Sequence, residues 1–316
     1  MYYIGIDLGG TNIAAGIVDE SGKILKKGSV PTGAQRHYTE IMKDMAELSL
    51  NLIREVGLSV DDVHSIGIGS PGTPDNINGK ILYSNNIAFL DVPMREEIQK
   101  YINKPVNIEN DANCAAFGEY IAGGAKDSKI SVTVTLGTGI GGGIIIEGRI
   151  FTGTNHAGAE LGHTVICVDG EQCTCGRKGC WEAYASATAL IRMTRESAAR
   201  NINGTIMKLV NGDISKIDAK TAFDAKRLGD AEGERIVDLY TKYLAEGLSN
   251  IYNIFEPEVI CIGGGVSKEG DYLLDPVRKI VYDRIYCKQL PKPRIIPAVL
   301  GNDAGIIGAA LLAKQI

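Results

Sequence analysis

One local pattern occurs twice in this chain: an apolar run, a glycine-rich turn containing threonine, and a second apolar run. It spans residues 2–7, then Leu8-Gly9-Gly10-Thr11-Asn12, then 13–19. It returns as residues 130–136, Gly137-Thr138-Gly139-Ile140-Gly141-Gly142-Gly143 and 144–147. Gaps this short join adjacent antiparallel strands, so each copy predicts a β-hairpin at the head of an α/β half. A repeat on this scale implies two related domains packed around a cleft.

Around the hairpins the pattern continues in α/β fashion. A third strand is expected at 24–30, and Ile41, Met45, Leu48 and Leu52 share one face of a helix over 38–55. Strands follow at 63–69 and 105–109, and Asp111 can cap a helix that runs to Gly123-Gly124. Residues 70–95, rich in Pro, Gly and Asn, read as a long irregular excursion suited to holding a ligand. Further helices are expected at 183–200, 221–227, 231–255 and 303–313, with a strand at 258–262 ending in Gly263-Gly264-Gly265.

Composition narrows the function. With 316 residues, 44% of them apolar, and a net charge of −5, the chain has no bulk positive field for nucleic acid. The most apolar stretch, 304–313, is about half the ~20 residues a membrane span needs. Asp7 interrupts the first apolar run and no positive residue precedes it, so a secretory signal is not expected and the cytoplasm is.

Four groups of residues carry chemistry. In Asp7-Leu8-Gly9-Gly10-Thr11, glycines let backbone N–H groups approach a phosphate, Thr11 adds a hydroxyl, and Asp7 can orient hydrated Mg²⁺. A bare glycine hairpin is the alternative. The second turn matches G-x-G-x-x-G, but a strand and not a helix follows it, which removes the dinucleotide reading. Two glycine turns on opposite lobes can grip one polyphosphate, and no Walker-type G-x-x-x-x-G-K-[ST] sequence is present. Third, Glu109-Asn110-Asp111-Ala112-Asn113 falls where a strand gives way to a helix, so Asp111 is either a general base for a substrate hydroxyl or a helix cap, with Asn110 able to take the cap instead. Fourth, His163, Cys173, Cys175 and Cys180 offer one imidazole and three thiolates, the donor set of a closed structural Zn²⁺ site, with turns at Gly176 and Gly179. Cys167 lies among them as a substitute ligand. Metal binding there would fix Glu160 and Glu182, acceptors suited to a polyhydroxylated ligand.

Taken in order, the Asp7–Thr11, Glu109–Asn113 and Leu136–Gly143 motifs, Glu160-Leu161-Gly162-His163, and Cys173-x-Cys175-Gly176-x-x-Gly179-Cys180-x-Glu182 resemble the ROK family (repressors, open reading frames, sugar kinases). Within it, the bacterial ATP-dependent glucokinases are nearest. The resemblance implies a two-lobed actin-like ATPase fold of ribonuclease H type, with an interlobe cleft. The lobes would be 1–112 plus 302–316, and 113–301 with the zinc loop. It implies ATP-dependent phosphorylation of a hexose 6-hydroxyl, most directly that of glucose, by a homo-oligomer (dimer or tetramer) needing Mg²⁺ and structural Zn²⁺. Asp111 would be the base. Gly72, Asn86, Asn110, Glu160, His163 and Glu182 would meet the sugar, and Asp7, Gly9, Gly10, Thr11, Thr138 and Gly139 the phosphates and Mg²⁺. Gly263, Gly264, Gly265 and Asn302 would border the adenosine. Sugar-kinase relatives often carry Gly-Trp after the loop Asn, whereas Ile87-Ala88-Phe89 follows here, which leaves other hexoses and amino sugars in play, as well as a non-catalytic sugar sensor. With six residues ahead of Asp7, the helix-turn-helix of family repressors is not expected.

Overall fold

The structure, a computed structural model, describes residues 1–84 and 87–315. Its first eight strands are β1 (Tyr2–Leu8), β2 (Asn12–Asp19), β3 (Ile24–Pro31), β4 (Val63–Ser70), β5 (Thr73–Asp75), β6 (Lys80–Ser84), β7 (Phe89–Val92) and β8 (Val106–Asn110). Helices α1 (Tyr38–Glu55), α2 (Met94–Gln99) and α3 (Asp111–Ala122) are interspersed. Strands β9 (Ile130–Leu136), β10 (Ile140–Ile146) and β11 (Arg149–Ile150) follow. Next come α4 (Glu182–Ala185), α5 (Ala187–Arg200), α6 (Thr205–Leu209), α7 (Thr221–Arg227) and α8 (Ala231–Phe255). The chain closes with β12 (Val259–Gly263), α9 (Asp271–Arg284), β13 (Arg294–Pro297) and α10 (Asp303–Ala310).

The predicted repeat is real at the level of topology. One five-stranded sheet runs β3-β2-β1-β4-β8 and the other β11-β10-β9-β12-β13, so each places its first hairpin strand centrally and adds two later strands beyond it. The chain divides into two compact units: 1–133, 142–159 and 298–316 form one, 134–141 and 160–297 the other. The boundary therefore falls inside β9 and β10. The expected division after residue 112 cut α3 at its second residue, whereas all of α3 packs within the first unit.

The reason is close packing of α3 on α10. A Cβ on Gly308 would lie 1.7 Å from Cys114 O, and one on Gly118 would lie 2.2 Å from Ala304 O. The final helix also rests on the sheet, since Cβ atoms on Gly5 and Gly67 would come within 1.9 and 1.7 Å of the Ile306 and Ala309 carbonyls. Glycine removes the side chains that would hold these backbones apart. The final helix is thereby part of the first unit. On the other face of this sheet, α1 buries Ile41, Met42, Met45, Leu52 and Ile53 against Ile4, Ile6, Ile66 and Ile68.

Three expectations change. The 70–95 excursion holds a small antiparallel sheet, β5-β6-β7, with Ile81 opposite Val92 and both buried in the first unit's core. Its strands are only three to five residues long, too short for alternation to show among Pro, Gly and Asn. Strand β10 begins at Ile140, so the second turn is shorter than its run of glycines. Gly143 sits inside the strand, where a Cβ would meet the Ala116 Cβ at 2.5 Å. The 183–200 helix is broken at Ser186, whose extended backbone (ψ 166°) and side chain, accepting from Ala189 N–H, start a new helix. Among the described residues no helix is long and apolar enough to cross a membrane.

Candidate functional site

In the first unit, parallel pairing sets Asp7 beside Gly69 and Gly69 beside Glu109, one row across the carboxyl ends of β1, β4 and β8. Ligand sites in α/β sheets gather at such edges. Asp111 starts α3 immediately beyond, and a Cβ on Gly69 would be 3.6 Å from Asp111 Cα, so the glycine admits the helix start. Asn110, not Asp111, is the cap: its Oδ1 accepts from the N–H groups of Ala112 (2.9 Å) and Asn113 (3.3 Å). Asp111 also accepts from Ala112 N–H at 2.9 Å, and its other carboxylate oxygen is not consumed by capping.

Burial disfavours the ionisation of all three acids gathered here. Burial, and then the Asp111 charge, pushes Asp7 up to about 6. Burial raises Asp111 and Glu109 as well, against the hydrogen bonds they accept. Glu109 accepts from Asn110 N–H (2.8 Å) and Asn113 Nδ2 (3.0 Å). Carboxylates held this way favour a dication or a proton in their midst. The buried Asn113 Oδ1 has no hydrogen-bond partner, a further oxygen donor in the same cluster. The oxygen-only donor set of Asp7 and its neighbours suits Mg²⁺.

The first glycine turn is held from below by Thr32, the fully buried residue that follows β3. Its Oγ1 donates to Gly9 O at 2.6 Å and its N–H donates to Thr11 O at 2.9 Å. Because a trans peptide points its C=O and N–H in opposite directions, fixing the Gly9 carbonyl on Thr32 turns the Gly10 N–H the other way. Gly10 and Thr11 are exposed, as a phosphate turn requires.

In the second unit His163 ends a short 3₁₀ turn opened by Glu160, and a tight loop brings the three cysteines to it. The donor atoms of His163, Cys173, Cys175 and Cys180 all lie within 4.8 Å of one another. His163 Nδ1 is 3.6 Å from Cys173 Sγ, and Cys175 Sγ is 3.6 Å from Cys180 Sγ. A tetrahedron with Zn–S of ~2.3 Å and Zn–N of ~2.0–2.1 Å has S···N edges of about 3.6 Å and S···S edges of about 3.8 Å. The residues therefore fit zinc. Burial, then the neighbouring thiols, push Cys180 up to about 12, a strain that a dication relieves. Gly176 and Gly179 supply the turns with φ of +90° and +80°, and a Cβ on Gly179 would strike Cys167 O at 1.7 Å. Cys167 itself is exposed and outside the donor group. The next residue after Cys180, Trp181, is fully buried, donates Nε1–H to Tyr243 O at 2.9 Å, and packs its ring over Gly247 of α8.

Glu182 turns out to serve the second glycine turn. Its Oε2 accepts from Ile140 N–H at 2.9 Å, and a Cβ on Gly139 would come within 2.2 Å of that oxygen. Gly264, at φ +85°, brings the 263–265 turn against the same segment, since a Cβ there would be 2.4 Å from Leu136 O. Thr138, Gly139, Gly263, Gly264, Gly265, Glu160, His163 and Glu182 thus belong to the second unit. Asp7, Gly9, Gly10, Thr11, Gly72, Asn110, Asp111 and Asn302 belong to the first. Gly72 has φ +101°, and its carbonyl accepts from Asn110 Nδ2 at 3.2 Å, so that amide is already engaged at both ends. Asn302 opens α10. Asn86 lies outside the described residues. Sequence reasoning missed Thr32 and Thr188, single hydroxyls with no motif around them, the latter donating its Oγ1–H to Thr138 O at 2.7 Å, and Glu119. The fully buried Glu119 accepts from Leu300 N–H (2.8 Å) and Gly124 N–H (2.9 Å) and so fixes the approach to α10.

These sheets and turns define the two-lobed actin-like ATPase fold, an α/β class built on a repeated hairpin-led sheet. The ROK family profile matches residues 3–316, and the chain belongs to the ROK family. A glucokinase of Thermotoga maritima is 39% identical over 99% of this chain and 97% of its own length. A ROK glucokinase from Streptomyces griseus, solved in complex with glucose and AMPPNP, superposes with a TM-score of 0.83 at 35% identity, covering 100% of both chains. A ROK hexokinase from Thermus thermophilus gives 0.83 at 33% identity, covering 98% of this chain and 97% of that one.

Proposed function

We propose that this chain is a glucokinase, transferring the γ-phosphoryl group of ATP to the 6-hydroxyl of glucose. The single observation that carries the reading is Asp111: a partly buried carboxylate, released from capping by Asn110 and raised in proton affinity, at the carboxyl edge of a parallel sheet beside a phosphate-type turn. The likeness to glucokinases over nearly the whole chain supports the substrate.

In this reading Asp111 accepts the hydroxyl proton as the oxygen attacks phosphorus. Phosphoryl transfer needs in-line placement and neutralisation of spreading negative charge more than covalent catalysis. The N–H groups of Gly10, Thr138 and Gly139 and the Thr11 hydroxyl meet the phosphates. Glu160, His163 and Glu182 accept or donate to the remaining sugar hydroxyls, and Gly72 shapes its loop. Gly263–Gly265 and Asn302 border the adenosine. Asp7 would hold Mg²⁺, which when bound neutralises phosphate charge. His163, Cys173, Cys175 and Cys180 would hold zinc, which braces the loop and leaves no open position for chemistry. The enzyme works in the cytoplasm as a homo-oligomer on this reading.

The test is coupled ADP release over a sugar panel with the wild type and Asp111→Asn. Glucose is expected to lead the panel, and the variant's kcat to fall at least ~10²-fold, the low end for loss of a general base. An unchanged rate, or 2-acetamido sugars outpacing glucose, overturns the base or the substrate respectively.

A further inference from the structure

Residues 182–188, which begin two positions after the last zinc-type ligand, grip the second glycine turn at three backbone atoms. Ala187 N–H donates to Gly137 O at 2.9 Å. Thr188 Oγ1 donates to Thr138 O at 2.7 Å. Glu182 Oε2 accepts from Ile140 N–H at 2.9 Å, while its Oε1 accepts from the hydroxyl of Thr174, which stands between two of the cysteines, at 3.3 Å.

Peptide planarity gives these bonds a direction. The Gly137 carbonyl and the Thr138 N–H share one trans peptide, and the Thr138 carbonyl and the Gly139 N–H share the next. Pinning both carbonyls on residues 187 and 188 turns both N–H groups the opposite way, side by side. Adjacent N–H groups so aligned form an anion-binding concavity. Gly139 is glycine because any side chain would collide with the Glu182 carboxylate. The first unit uses the same device at Thr32.

We infer that the metal knuckle is the scaffold of the nucleotide-phosphate turn, with Thr188 and Glu182 as positioning residues for a nucleoside triphosphate and not only supports for the sugar. The inference rests on the reading above that Thr138 and Gly139 face phosphate. The carboxylate of Glu182 is the tie: one oxygen on the turn, one on the knuckle. Thr188, on the opposite end of the grip, bears on the turn alone, so its hydroxyl separates nucleotide positioning from sugar binding.

The experiment compares the zinc-loaded wild type with Thr188→Val and Thr188→Ser. Calorimetric affinities for Mg-AMPPNP and for glucose are measured separately, alongside KM for each substrate and kcat. Loss of one neutral hydrogen bond predicts a roughly 3–10-fold weaker AMPPNP affinity and a matching rise in KM for ATP in Thr188→Val. Glucose affinity and the melting temperature should hold, and Thr188→Ser should restore the wild-type value. A second measurement, amide hydrogen exchange after chelation, should show Ile140 N–H exchanging faster in the metal-free chain. Unaltered AMPPNP affinity in Thr188→Val, an equal loss of glucose affinity, or unchanged Ile140 exchange without metal overturns the inference. A wild type that binds AMPPNP but phosphorylates no sugar would instead overturn the proposed activity and leave this assignment standing, and one that binds no AMPPNP removes both.

Discussion

Replacing Asp7 with asparagine should make the protein more stable and less active. Burial and the nearby Asp111 charge push the Asp7 carboxyl from 3.8 up to about 6. Near pH 7 the folded chain must therefore ionise a group that resists ionisation by about two pH units, or about 3 kcal/mol. An acid with a raised folded-state value binds more protons folded than unfolded between about pH 4 and pH 6, so its contribution to stability falls as pH rises through that window and is constant above it. Asn keeps the shape and removes the charge, so Asp7→Asn should gain about 1–3 kcal/mol at pH 7 and nothing below about pH 4. The assay is urea unfolding of wild type and variant in EDTA at half-unit steps from about pH 3.5 to about pH 8, a range that brackets the window. The difference should open between about pH 4 and about pH 6 and then plateau. Mg²⁺ should stabilise the wild type and leave the variant unmoved, while phosphoryl transfer by the variant collapses. A variant no more stable than wild type at neutral pH, or a gap that ignores pH, refutes the electrostatic account of this site.

Two further outcomes follow from the packing and the donor group. Elemental analysis should find one zinc per chain, and its removal by chelation, or Cys175→Ser, should raise the glucose KM; a metal-free protein with a normal glucose KM would contradict the role given to the loop. Gly308→Ala forces a Cβ to within 1.7 Å of Cys114 O, so α3 and α10 must part, and an overpacking loss of about 1–3 kcal/mol or more should appear as a lowered melting temperature.

What was readable in the sequence was what repeats or clusters. Helix α1 falls on the expected 38–55 because Ile41, Met45 and Leu52 keep a helical period against one sheet face. The two hairpins were legible because glycine and threonine mark both turns, and the gathering of His163, Cys173, Cys175 and Cys180 because four soft donors crowd a short stretch. Asn110 as the alternative cap was legible too, since Asn and Asp compete on equal chemical terms for that place. The β5-β6-β7 sheet was not, because its strands are shorter than the period that would announce them. Nor was the grip of Glu182, Ala187 and Thr188 on residues 137–140, which joins segments more than forty residues apart through one carboxylate, one amide and one hydroxyl. Such bonds depend on where the chain returns, and nothing local encodes that.

Trp181 is the chain's one tryptophan, and it lies one residue past Cys180 with its indole sealed under α8. Excitation near the red edge of protein absorbance will therefore report on that spot alone, free of the tyrosines. Unfastening the metal loop should shift this emission to longer wavelength as water reaches the ring, giving an optical readout of cofactor occupancy without any label.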